Sequence, residues 1–219
     1  MKIKTLNVGP LQCCCYVVFN EQSREAIVID PGGDVEIIID YIKKNTLEPL
    51  LLINTHGHGD HIGANLEIKE AFPEIKICIH ADDEPMLTHP SKNLSFLGGV
   101  LYKSPPADCV LRHGDIVGVD GCKFKVLHTP GHTPGGICLL STSTDGCQGA
   151  VLFSGDTLFA GSVGRTDLPG GSYEALMESI RNNILTLDDN TVIYPGHGPS
   201  TTVAEEKASN PFIQAFVSE

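Results

Sequence analysis

The chain of 219 residues predicts an α+β fold: two β-sheets packed face to face, with helices outside them. Three observations point there. Short β-branched runs leading into an amphipathic helix occur twice, once in each half of the chain. No low-complexity segment, internal repeat or dividing linker separates the halves, so one domain over residues 1–219 is expected, with halves at roughly 1–110 and 111–219. Burying the apolar faces of both sheets against each other is the simplest way to cover them.

In the first half, Lys2–Val8, Cys14–Phe19 and Glu25–Asp30 read as strands, and Asp30-Pro31-Gly32-Gly33 stops the last of them. Val35, Ile38, Ile39 and Ile42 recur at i, i+3, i+4 and i+7, one face of a helix. Leu50–Asn54 is a short apolar strand running into a cluster of His and Asp. A second helix is expected over Gly63–Ala71, ended by Pro73, and Ile75–Ile79 returns to strand. Pro90–Asp108 is rich in Gly, Pro and Ser and lacks a period; it reads as a long loop with short helical turns, a feature that often carries function. In the second half, Cys122–Leu127, Gly136–Leu140 and Ala150–Phe153 read as strands. Ser172–Ile184 is a helix with Leu176, Met177, Ile180 and Ile184 on one face, Thr191–Tyr194 is a final strand, and Thr202–Ala208 starts a C-terminal helix before Pro211.

Fifteen Lys and Arg against 27 Asp and Glu give a net charge of −12, and no basic run exceeds Lys43-Lys44. That balance disfavours a nucleic-acid partner, which needs clustered cations. Hydrophobic residues at 41% and charged residues at 19% exclude wholesale disorder. Apolar stretches such as Leu50–Ile53 fall far short of the ~20 residues that span a bilayer, so no membrane partner is expected. Met1–Asn7 has no apolar h-region, and a cytoplasmic location is the expectation. Eight Cys occur without a C-x-x-C pair, which argues for reduced thiols rather than a disulfide framework or zinc knuckle. The run Cys13-Cys14-Cys15 reads as one strand with buried and exposed thiols, in preference to a metal or redox sensor.

The chemistry concentrates in Thr55-His56-Gly57-His58-Gly59-Asp60-His61, directly after a strand. Imidazole nitrogen and carboxylate oxygen are the donors that divalent metals such as zinc take, and the glycines let the backbone turn tightly. Three further turns, Gly131-His132-Thr133-Pro134-Gly135, Gly155-Asp156-Thr157 and Pro195-Gly196-His197-Gly198, each set one His or Asp directly after a glycine, beyond a predicted strand. Five of the nine His lie in these four turns, which implies one shared site at one edge of the sheets. Asp156 is the candidate carboxylate to bridge two metals. Asp30 is placed either to accept a hydrogen bond from a ligating His or to cap its turn. His128 is placed either to orient a ligand or to end its strand. His80, His89 and His113 are expected to be surface or loop residues. Tyr102 and Tyr173 are candidates to line a pocket or simply to pack.

The T-H-x-H-x-D-H turn, with the later His, Asp and His, resembles the metallo-β-lactamase superfamily over nearly the whole chain. The resemblance implies a four-layer αββα sandwich of two mixed sheets with a dinuclear site at one edge. It implies that His56, His58 and His132 hold the first metal, that Asp60, His61 and His197 hold the second, and that Asp156 bridges. Many antibiotic-hydrolysing members carry Cys in place of that Asp; its absence here, with no signal peptide, points away from a β-lactamase. Gly155-Asp156-Thr157-Leu158-Phe159 and Asn210-Pro211-Phe212 resemble glyoxalase II-like hydrolases. Full-length glyoxalase II adds a C-terminal helical region for glutathione, and a Lys-containing loop where this chain has Gly164-Arg165-Thr166-Asp167-Leu168. That run also resembles persulfide dioxygenases, which use one iron.

The expected activity is hydrolysis of a thioester, such as a hydroxyacyl-glutathione, by a metal-bound hydroxide. Two divalent ions, zinc foremost and iron or manganese served by the same donors, would be the cofactors. Asp60 would ligate and orient the hydroxide, and a metal would stabilise the developing oxyanion. Arg165 could grip a substrate carboxylate by its planar fork or form a structural ion pair. The rival readings are a mononuclear iron persulfide dioxygenase and a non-catalytic metal-binding protein.

Overall fold

The computed structural model describes residues 1–141 and 150–217. Cys147 lies outside the described residues. The first sheet is built from β1 (Lys2–Val8), β2 (Cys13–Phe19), β3 (Glu25–Ile29), β4 (Glu48–Ile53), β5 (Lys76–His80) and β6 (Cys109–Leu111), lying side by side in that order. It is antiparallel from β1 to β3 and parallel from β3 to β6. Helices α1 (Val35–Lys44), α2 (Gly59–Ile62), α3 (Asn65–Ala71) and α4 (Glu84–Thr88) fall in its connections.

The second sheet comprises β7 (Ile116–Val119), β8 (Cys122–His128), β9 (Ile137–Ser141), β10 (Val151–Gly155), β13 (Val192–Pro195) and β14 (Thr201–Thr202). All its pairs are antiparallel except β10 with β13. A hairpin of β11 (Leu158–Phe159) and β12 (Ser162–Val163) follows β10. Helices α5 (Tyr173–Ser179), α6 (Val203–Ser209) and α7 (Pro211–Val217) belong to this half.

The pleat of β2 shows how the layers stack. Successive strand residues point to opposite faces. Cys13, Cys15, Val17 and Phe19 share one core with Ile38 and Ile42 of α1 and Ile68 of α3. Cys14, Tyr16 and Val18 share another with Phe124, Val126 and Phe153 of the second sheet. On the far side, Leu127, Leu152 and Ile193 pack against Leu176 and Met177 of α5, Val203 of α6 and Ile213 of α7. Three cores between four layers make the αββα sandwich.

Three expectations need correction. The Cys13-Cys14-Cys15 thiols are all buried, because helices cover one face of β2 and the second sheet covers the other. The helix expected over Gly63–Ala71 begins at Asn65, and a separate turn of helix, α2, carries Asp60 and His61. The helix expected over Ser172–Ile184 is α-helical only to Ser179, after which Ile180–Ile184 widens into a π-helical turn. The short helical turn expected between Pro90 and Asp108 is present as a 3₁₀ turn at Ser95–Gly98. No described helix is long and apolar enough to cross a membrane.

Candidate metal centre

Four turns meet at one edge of the sandwich, where they leave β4, β8, β10 and β13. They bring together His56, His58, Asp60, His61, His132, Asp156 and His197. Ligand atoms of His56, His58 and His132 lie within 4.8 Å of one another, as do those of Asp60, His61 and His197, and those of His56, His61 and Asp156.

The hydrogen bonds at the back of each ring decide which nitrogen faces the cluster. Thr55 Oγ1 donates to Asp30 Oδ2 at 2.6 Å and lies 3.2 Å from His56 Nδ1, so it accepts the Nδ1 proton and leaves Nε2 bare. His61 Nδ1 donates to Asp30 Oδ2 at 3.0 Å. His132 Nδ1 donates to the Arg165 carbonyl at 2.8 Å, and His197 Nδ1 to the Leu11 carbonyl at 3.1 Å. All four rings therefore point Nε2 inward. His58 presents Nδ1, 2.9 Å from His132 Nε2. His61 Nε2 and His197 Nε2 stand 3.3 Å apart.

Asp156 faces both groups. Its Oδ1 lies 3.4 Å from His61 Nε2, and its Oδ2 lies 3.6 Å from His132 Nε2 and 3.8 Å from His197 Nε2. Asp60 Oδ2 is 3.3 Å from His197 Nε2 and 3.7 Å from His61 Nε2. His56 Nε2 and Asp156 Oδ1 are buried without a hydrogen-bond partner. Buried, unpaired lone pairs converging from several side chains are costly unless a cation satisfies them. The donor set fits divalent ions of the zinc type, whose bonds to imidazole are about 2.0–2.1 Å.

Electrostatics favour the same occupant. Burial and neighbouring imidazoles hold His56 far below its ordinary pKa, and burial with His132 pushes His58 down to about 3. Both stay neutral at neutral pH, the form that ligates. Burial works against ionisation of Asp60, but His61 and His197 outweigh it and keep the carboxyl well below the usual range. Burial likewise opposes a charge on His61, yet Cys13, Asp156, Asp60 and Asp30 raise its pKa; His197 is raised by Asp60 and Asp156 against its own burial. A pocket that draws protons onto these rings is one that draws a dication once the protons leave.

The loops around the centre touch it directly. Asp30 accepts from His61 Nδ1 at 3.0 Å and from Thr55 N at 2.7 Å. Gly59 N donates to Asn93 O at 2.8 Å, which ties the Pro90–Asp108 loop to α2. A Cβ on Gly59 would stand 2.7 Å from Ser95 Cβ and 3.2 Å from the Tyr102 ring, so Tyr102 packs against this turn. Tyr173 is half exposed at the start of α5. The Arg165 guanidinium forks onto both oxygens of Asp167 at 2.8 Å, on the surface, while its main-chain carbonyl holds His132.

His89 and His113 are exposed, but His80 is buried, a correction to its expected surface position. It stacks on His128 with ring centroids 4.0 Å apart and 13° between planes. His128 Nε2 donates to the Pro134 carbonyl at 2.8 Å and ends its strand there. With Asp82 these two rings form a fourth ligand-like group. Nearly parallel rings cannot aim in-plane lone pairs at one ion, and Nε2 of His128 already carries its proton on Pro134, so this group is not a metal site. Sequence reasoning passed over Asp83, a buried carboxylate between two of the ligand turns. Asp82, beside it, is the same residue type in the same turn, so no local signal singles Asp83 out.

A family model for the metallo-β-lactamase superfamily matches residues 8–197. The chain belongs to that superfamily. Hydroxyacylglutathione hydrolase GloC of Haemophilus influenzae is 36% identical, across 98% of this chain and 99% of its own. The crystal structure of the BLEG-1 B3 metallo-β-lactamase superposes with a TM-score of 0.89 at 39% identity, covering 97% of this chain and 99% of that one. TTHA1623, solved in a di-iron-bound form, gives a TM-score of 0.81 at 36% identity, over 95% and 99%. Membership of this superfamily makes the chain a metallohydrolase-type protein and gives the paired His-rich groups a binuclear setting.

Proposed function

We propose that this protein is a metal-dependent hydrolase of thioesters, acting on a hydroxyacyl-glutathione or a related small acyl-thiol. The observation that carries the reading is the pair of ligand groups facing one carboxylate, Asp156, on a scaffold similar to GloC. His56, His58 and His132 would hold one divalent ion, Asp60, His61 and His197 the other, and Asp156 both; zinc is the proposed metal, with iron and manganese served by the same donors. Ions bound there supply an acidified water and a polarised carbonyl.

The chain's own residues do the rest. Asp60 is the catalytic carboxylate: fixed by His61 and His197 and about one-quarter exposed, it can accept a proton from the attacking water and aim its lone pair. The departing thiol has a pKa near ~8.5, so it leaves as thiolate without a dedicated general acid. Arg165 is proposed to bind a substrate carboxylate. Its pairing with Asp167 is exposed, where such pairs contribute little and leave the guanidinium open to another carboxylate. The net charge of −12 and the free thiols fit a reducing cytoplasm and a small-molecule partner rather than a nucleic acid or membrane.

The likeness to BLEG-1 favours a second reading, attack on a β-lactam carbonyl by the same groups. One experiment separates the readings. Protein loaded in turn with zinc, manganese and ferrous iron is given S-lactoylglutathione, a chromogenic cephalosporin, and glutathione persulfide in an oxygen electrode. Metal-dependent loss of thioester absorbance without oxygen uptake is expected. Oxygen uptake on the persulfide with no thioester cleavage would replace the proposal with the dioxygenase, and cleavage of the cephalosporin alone with the lactamase. Metal uptake with no turnover on any of the three would leave a binding protein.

A further inference from the structure

The two turns that carry His56, His58 and His132 come from different sheets, and something must set their distance. Asp83 lies between them, fully buried at the residue before α4. Its Oδ2 accepts from Gly57 N at 3.0 Å and from Thr133 Oγ1 at 2.7 Å, and its Oδ1 accepts from Gly135 N at 2.7 Å. Gly57 sits between His56 and His58, and Thr133 directly follows His132. One carboxylate thus holds both turns by three bonds.

The surrounding residues are shaped for this approach. A Cβ on Gly57 would stand 2.5 Å from Met86 Cβ, on α4, and one on Gly135 would stand 2.5 Å from Asp83 N and 2.7 Å from its Oδ1. Either side chain would push its turn off the carboxylate. No donor from Asp60, His61, Asp156 or His197 reaches Asp83. Asp30 contacts the centre elsewhere, directly at His61 and through Thr55, which backs His56.

We infer that Asp83 is a positioning residue for the His56, His58 and His132 group alone, setting its ion affinity without touching the ion. The inference rests on the metal-centre reading above and not on the thioester. A carboxylate that spaces ligands acts as the outer partners of metal-bound imidazoles do, where substitution weakens binding on the order of 10–100-fold. Asparagine cannot replace it fully, because its amide nitrogen must face either Gly57 N–H or Gly135 N–H, donor against donor.

The test separates the two groups by background. His197→Ala leaves the first group intact, and His58→Ala leaves the second. Zinc affinity is measured by competition with a chromophoric chelator, and cobalt substitution gives a visible spectrum of the occupied group. Asp83→Ala, with Asp83→Asn as the gentler variant, is expected to weaken zinc on the order of 10–100-fold in the His197→Ala background and to alter the cobalt spectrum there. In the His58→Ala background, affinity should stay within about twofold. Thr133→Val, which removes one of the three donors, should weaken the first group less than Asp83→Ala. Equal weakening in both backgrounds would show a general structural role and overturn the inference, as would no change in either. If wild-type protein takes up ions at both groups, such a result leaves the metal centre standing; if wild-type takes up none, both fall.

Discussion

At Asp30, Thr55 N, Thr55 Oγ1 and His61 Nδ1 all converge on one buried carboxylate. Asp30→Asn must set its amide nitrogen against at least one of those donors, leaving a buried polar group unpaired. The expected cost is about 1–3 kcal/mol in urea unfolding of the metal-free protein, with zinc retention falling on the order of 10–100-fold in chelator competition. The thiols are a second residue-scale case. Burial pushes Cys13 and Cys78 up to about 12 and Cys138 to about 11, while Cys109 is exposed on β6. Alkylation of the native protein at mild alkaline pH, read by peptide mass, should label Cys109 first among the described cysteines and the buried thiols only after denaturation. The clustered His and Asp side chains were legible in the sequence because metal chemistry needs particular residue types in short local turns. Their supports were less so. Leu11 contributes only a carbonyl, 186 positions from His197, and a main-chain oxygen leaves no mark on residue type. Asp83 reaches Gly135 across 52 positions, a pairing no local pattern encodes.

Among the elements, those with a clear period were readable and those set by their surroundings were not. β2 announces itself as a strand, yet the burial of all three adjacent thiols depends on layers contributed by distant segments. β11, β12 and β14 are two-residue strands, too short for any alternation to show. The helical pattern of Ser172–Ile184 was visible, but its π-helical end was not. The start of α5 carries more than its own cap. Ser172 Oγ accepts from Ala175 N at 3.3 Å, and Ser172 N donates to the Gly131 carbonyl at 2.8 Å, which joins the helix to the His132 turn. Ser172→Ala should cost about 1 kcal/mol in denaturant unfolding through loss of the cap, with the backbone bond to Gly131 retained. Gly32, between β3 and α1, tests a tighter packing. A Cβ there would overlap the Asp60 carbonyl oxygen, so Gly32→Ala must displace α2, which carries Asp60 and His61. An overpacking penalty of about 1–3 kcal/mol is expected in the same assay.

Across the whole molecule, the centre joins the two sheets. His56, His58, Asp60 and His61 follow β4 of the first sheet, whereas His132, Asp156 and His197 follow β8, β10 and β13 of the second. Protein contacts already span this edge: Cys14 N donates to Gly196 O at 2.7 Å, and Ile137 N to Thr55 O at 2.9 Å. The sandwich therefore does not need an ion to define its topology, only to neutralise Asp60 and Asp156 and satisfy His56 Nε2 and Asp156 Oδ1. Ions that bind only the folded chain stabilise it by mass action, about 4 kcal/mol per site at a thousandfold excess over Kd. For a chain of this length, each kcal/mol raises Tm by roughly 2–4 °C. Dialysis against a chelator should lower the calorimetric Tm on the order of 10 °C, and zinc should restore it, while the far-ultraviolet circular dichroism below the transition stays unchanged. A loss of that signal on chelation would mean that the ions, and not the three cores, hold the sheets together. An unchanged Tm would mean that the converging lone pairs are met by protons on His61 and His197, with no ion bound.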